Sequence, residues 1–108
     1  MELNLIVLKS TDPEALAGFY RMVGVSMVRE RHGSGPEHFA GILLRGGVLE
    51  IYPAREPGRC TFGMGLADPE TLRSSWLAAG GRLGRTGDIL IDPDGNVLII
   101  SGVGGSDR

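Results

Sequence analysis

Few side chains in this sequence could do chemistry: Glu50 in the run Val48-Leu49-Glu50-Ile51-Tyr52, the two histidines His32 and His38, and the single cysteine Cys60. A carboxylate on an apolar strand is costly unless it meets a cation, a hydrogen-bond donor or solvent. Glu50 therefore reads in two ways, as a carboxylate satisfied by an arginine or by water, or as the polar anchor of a ligand site. Strand alternation puts Val48 and Tyr52 on its face. His38 is the obvious residue to share a metal ion with it. A tight hairpin at Gly46-Gly47 would set Glu50 opposite residue 42 or 43, leaving His38 four or five residues along, roughly 13 Å away at strand rise. That spacing predicts no shared coordination. His32, in the segment His32 to Pro36, reads as a surface-loop histidine. Cys60 has neither a CxxC partner nor a nearby histidine and reads as a bystander.

Other motifs resolve into turns and loops. Asp92-Pro93-Asp94-Gly95-Asn96 places its glycine fourth where a calcium loop needs it sixth, and no glutamate stands twelfth, so it reads as a turn. Gly33-Ser34-Gly35 and Gly102-Val103-Gly104-Gly105 lead into no helix and offer no array of N–H groups for a phosphate. Ser74-Ser75 has no His or Asp at a useful spacing for nucleophilic catalysis.

The elements that must position these residues come from an internal repeat. Asp12-Pro13-Glu14-Ala15-Leu16 returns as Asp68-Pro69-Glu70-Thr71-Leu72, and at the same offset of 56 Tyr20 meets Trp76 and Gly24 meets Gly80. Each copy predicts a helix: Asp caps the free N–H groups, Pro suits the first helical position, and Glu favours the positive end of the dipole. Leu16, Phe19, Tyr20 and Val23 form one buried stripe, which Leu72, Trp76 and Ala79 repeat with Ser75 weakening it. Gly24 and Gly80 stand where helices commonly end. Strands are expected at 3–9, 25–31, 39–44 and 48–52, then at 61–67, near Arg82, at 88–91 and at 96–101. Each half is thus β-α-β-β-β. Val48-Leu49-Glu50-Ile51 matches Val97-Leu98-Ile99-Ile100 at an offset of only 49, so the second half is about seven residues shorter between its helix and its last strand. We divide the chain, as one domain, into module one at about 2–53, a linker at about 53–59, module two at about 60–101 and a tail at 102–108 that reads as disordered.

Composition narrows the function classes. With 108 residues, 42% hydrophobic, and a net charge of −2 from 11 basic and 13 acidic residues, the chain suits one globular domain. Its basic residues are scattered, which argues against nucleic-acid binding. One free thiol suits a reducing compartment. The short apolar stretch at the N-terminus has neither a cleavage site nor the length to span a membrane. The expectation is a cytoplasmic protein with no membrane partner.

Asp12 followed by Phe19-Tyr20 and Gly24, then His32-Gly33, Gly35-Pro36-Glu37-His38, Val48-Leu49-Glu50-Ile51-Tyr52-Pro53 and Asp92-Pro93-Asp94-Gly95 before the last strand, resembles vicinal oxygen chelate domains, the glyoxalase/bleomycin resistance protein/dioxygenase superfamily. The resemblance covers roughly residues 3 to 101. It implies an α+β fold of two βαβββ modules whose eight strands form a curved, partly open cup, often completed by dimerisation. The superfamily includes metal-dependent lyases, isomerases and ring-cleaving dioxygenases as well as metal-free proteins that sequester antibiotics, so fold alone does not give function.

The resemblance also implies four metal-ligand positions, on the first and last strand of each module. Here they hold Leu5, Glu50, Thr61 or Phe62, and Ile99. One carboxylate falls short of the three or so protein ligands of a catalytic divalent site. The expectation is therefore no metal and no cofactor: a metal-independent small-molecule binding protein, sequestering a cationic or antibiotic-like ligand with Glu50 as anchor among Leu5, Tyr52, Phe62, Met64 and Ile99. The alternatives are a divalent-metal lyase or isomerase using Glu50, and a degenerate domain kept for dimerisation or regulation. A homodimer is expected, because shortened strands in module two leave an open edge.

Overall fold

The computed structural model describes residues 1, 3–43 and 46–102. The chain divides into two compact units, one up to Gly58 and one from Arg59 onward. Both follow the plan read from the sequence. Module one runs β1 (Leu5–Ser10), α1 (Pro13–Met22), β2 (Val28–Glu30), β3 (His38–Ile42) and β4 (Val48–Pro53). Module two runs β5 (Thr61–Leu66), α2 (Pro69–Ala78), β6 (Arg82–Leu83), β7 (Ile89–Ile91) and β8 (Val97–Gly102). Each module is one four-stranded sheet, ordered β1-β4-β3-β2 and β5-β8-β7-β6, with the first strand parallel to the last and the rest antiparallel.

The helices start and stop where their caps dictate. The Asp12 carboxylate accepts the Ala15 N–H at 3.2 Å, and Asp68 accepts the Thr71 N–H at 3.2 Å, each followed by proline. Both helices give way to a glycine at positive φ, 106° at Gly24 and 104° at Gly80, a conformation that side chains with a Cβ disfavour. Leu16, Phe19 and Tyr20 of α1 are buried, and α1 packs on β1, β3 and β4. Alternation then gives each strand a helix face and a far face: Leu8, Leu49, Ile51 and Phe39 go to the core, while Leu5, Val7, Glu50, Tyr52 and His38 go to the far side. In module two Trp76 is buried, and its indole N–H donates to the Ile91 carbonyl at 3.0 Å, tying α2 to β7.

One expectation is corrected. The hairpin between β3 and β4 is not a two-residue turn at Gly46-Gly47; the Leu43 N–H donates to the Gly47 carbonyl at 2.6 Å, and Gly46 lies inside the loop. Its greater length pairs Glu50 with Ala40, not with residue 42 or 43. Along the linker the Ala54 N–H donates to the Ser10 carbonyl and the Gly58 N–H to the Lys9 carbonyl, laying it along β1. The tail expected at 102–108 lies outside the described residues from 103 on, while Gly102 ends β8. Asp92 to Asn96 forms the expected turn: the Asp92 carboxylate accepts the N–H groups of Asp94 and Asn96, with Gly95 at φ 93°. No helix among the described residues is long and apolar enough to cross a membrane.

Candidate functional site

The altered register brings together what the sequence spacing held apart. Glu30 on β2 stands directly opposite His38 on β3, and Ala40, two residues along β3 on the same face, stands opposite Glu50. Diagonal neighbours on one sheet face lie within reach of long side chains. His38 Nε2 is accordingly 2.9 Å from a Glu30 carboxylate oxygen and 3.7 Å from Glu50 Oε2, where a separation of roughly 13 Å was expected from strand rise. His32, just past β2, brings its Nε2 within 3.1 Å of the same Glu30 oxygen. Ligand atoms of Glu30, His32, His38 and Glu50 all lie within 4.8 Å of one another.

His38 is the buried centre of this group, with 1% of its side chain exposed. Its ring stacks on Tyr52, centroids 4.1 Å apart and planes 10° from parallel, with the His32 ring 5.0 Å away on a tilt. Its Nδ1 lies 3.1 Å from the Pro36 carbonyl, which can only accept, so Nδ1 carries a proton and Nε2 is turned toward the two carboxylates. Burial works against the charged ring. The Pro36 hydrogen bond and the Glu30 and Glu50 carboxylates outweigh that penalty and hold His38 above its ordinary 6.5. Burial, with help from the same carboxylates, also pushes the Tyr52 phenol up. Among the described residues Glu50 is thus met by an imidazole and not by an arginine.

The remaining expected site residues divide between two faces. Leu5 and Tyr52 share the far face with Glu50, beside Val7, which pairs with Glu50 in parallel register. Ile99 lies on the far face of module two. Phe62 and Met64 do not. They pair with the buried Leu98 and Ile100 and so point to the helix side, because the first-strand position of module two is Thr61, opposite Val97 as Leu5 is opposite Val48. The four metal positions implied by the resemblance therefore hold Leu5, Glu50, Thr61 and Ile99, a set that does not fit a divalent ion. Glu30 was missed altogether. The signal that pointed toward it is the change of offset from 56 to 49, which gives module one extra residues between its helix and its last strand; the strand pairing puts them between β2 and β3. Cys60 is half-buried beside the Asn96 amide oxygen, and burial together with the Asp92 carboxylate pushes its thiol up, away from nucleophilic use.

No family model matches the chain, and no curated protein matches its sequence. Solved structures do match its fold. A glyoxalase/bleomycin resistance protein from Albidiferax ferrireducens superposes over 93% of this chain and 97% of its own, with a TM-score of 0.69 at 17% identity. The chain has the vicinal oxygen chelate fold. The YycE protein of Bacillus subtilis, of unknown function and described as a candidate glyoxalase/fosfomycin resistance protein, covers 96% of this chain and 93% of its own at a TM-score of 0.73 and 12% identity. The oxidase ChaP-H2 covers 93% and 91% at a TM-score of 0.68 and 16% identity. Neighbours with such different descriptions share a frame, and function must be argued from the site.

Proposed function

We propose that this chain is a small-molecule-binding protein of the glyoxalase/bleomycin-resistance type, taking a cationic or amine-bearing ligand on the far face of module one without the family's four-position metal constellation. The observation that carries this reading is Glu50: a carboxylate with only 15% of its side chain exposed, set beside Leu5 and Val7, which are 46% and 38% exposed. An acid flanked by accessible apolar side chains suits a ligand with a hydrocarbon body and a positive head. A second carboxylate, Glu30, adds to the negative potential there. The working form is a homodimer in a cytoplasmic setting. Within its sheet β5 has a neighbouring strand on one side only, as has β1 apart from the bridge of Lys9 to Gly58, and pairing with a second copy is a common remedy.

The test is a thermal-shift screen of amine-bearing compounds run in chelator, followed by titration of the best ligand against Glu50→Gln. The variant keeps the shape and loses the charge, and should weaken binding by about 1–3 kcal/mol. Equal affinity, or no stabilising amine in the screen, rejects the reading. Light scattering at micromolar concentration should return twice the monomer mass; a value near 11.5 kDa removes the dimer.

A further inference from the structure

The four side chains around His38 form a constellation that the family positions do not describe, sharing only Glu50 with them. We infer that Glu30, His32, His38 and Glu50 bind one divalent first-row transition ion on the far face of module one.

The ligand atoms are already gathered. Donors bound at about 2.0–2.1 Å around a tetrahedral ion lie roughly 3–3.5 Å from one another. The separations here are 2.9 Å for His38 to Glu30, 3.1 Å for His32 to Glu30 and 3.7 Å for His38 to Glu50, so small rotations suffice to enclose an ion. The orientation of His38 is the second argument. Its Nδ1–H is held by the Pro36 carbonyl, which turns Nε2 straight at two carboxylates. In the metal-free chain a proton on Nε2 bridges the 2.9 Å contact to Glu30, a divalent ion can take that proton's place, and a backbone carbonyl holding the remote N–H is the usual support of a metal-binding imidazole. Two imidazoles with two carboxylates suit Zn²⁺, Co²⁺, Ni²⁺ or Mn²⁺, and the two acid charges balance a divalent ion.

Access is also built in. Side-chain exposure rises from 1% at His38 through 15% at Glu50 and 33% at Glu30 to 69% at His32, so an ion can arrive through His32 and settle against the buried ring. The inference does not rest on the small-molecule reading, since the metal alone is its probe and the ligand screen runs in chelator.

The experiment uses the full chain without an affinity tag, stripped of metal, then titrated with Zn²⁺ in competition with a chromophoric chelator and with Co²⁺ followed by visible absorption. One ion per chain is expected, with cobalt ligand-field bands. His38→Gln should weaken binding by about 100-fold or more, and Glu30→Gln and His32→Ala by roughly tenfold each. His38 is buried and its variant could misfold, so the two more exposed positions decide the matter. Weakening in either, with far-UV circular dichroism unchanged, supports the site. Absence of stoichiometric binding to the native chain, or an affinity that neither Glu30→Gln nor His32→Ala alters, overturns it.

Discussion

Modules one and two share a helix, its caps and a strand order, and they diverge between their second and third strands. Eleven residues, Arg29 to Phe39, join Val28 to its partner Ala40, whereas four, Arg85 to Asp88, join Gly84 to Ile89, whose carbonyl accepts the Gly84 N–H at 2.7 Å. Glu30, His32 and His38 all belong to the eleven. In module two the chain has already turned where those residues would stand, and the counterpart of Glu50 is Ile99. The repeat supplies the same frame twice, and the length of one hairpin decides which copy carries polar chemistry.

The cores differ as well, and this gives the largest expected effect. Module one buries Leu8, Leu16, Phe19, Tyr20, Met27, Phe39, Leu49 and Ile51, while module two relies on Trp76, Leu90, Leu98 and Ile100. A single indole is a large share of the smaller core, and its N–H also satisfies the Ile91 carbonyl. Trp76→Ala should cost about 3–5 kcal/mol. Hydrogen exchange should show α2 and β5 to β8 losing protection ahead of module one. Uniform loss across both modules would mean that they unfold as one unit, and the contrast between their cores would have no energetic meaning.

Both histidines lie in module one, so the pH dependence near neutrality should centre on it. His38 is faced by Glu30 from β2, by Glu50 and Tyr52 from β4 and by the His32 ring. With its folded value raised above the ordinary 6.5, the ring contributes stability that is complete below that ordinary value and is lost as pH rises through the folded one. In chelator the native chain should therefore lose stability on going from slightly acid to alkaline pH, and His38→Gln should flatten the slope. A native slope that survives in His38→Gln would assign the dependence elsewhere.

What was legible in the sequence follows from the range of the forces involved. The caps at Asp12 and Asp68, the prolines after them and the glycines that end both helices act over four residues or fewer, and they stand where the sequence placed them. The repeat carried the module plan. The cluster around His38 was not legible, because it depends on which residues face each other across a hairpin. Reading Gly46-Gly47 as the whole turn displaced the partner of Glu50 by two or three residues from Ala40. A two-residue slip keeps every side chain on its face while moving its neighbours, so the alternation of apolar residues gave no warning. A one-residue slip does swap faces, and that ambiguity between Thr61 and Phe62 put Phe62 and Met64 on the wrong side.

The smallest expected effect tests whether the far face of module two is as unencumbered as its composition suggests. Ile99 is 39% exposed and pairs with Gly63 on one side and Ile89 on the other, so it has an apolar neighbour from β7 and no side chain opposite it on β5. Ile99→Glu gives module two the residue that Glu50 is in module one, but without an imidazole to meet it. On a solvated face the new carboxylate keeps its water, and the change in stability should stay within about 0.5 kcal/mol. If a second copy covers this face, the carboxylate must be desolvated without a partner, and the loss should grow to several times that. Denaturant titration of the variant at two protein concentrations separates the cases. A small, concentration-independent change leaves the far face of module two open to solvent, whereas a large loss that shrinks with dilution places Ile99 in the contact between copies.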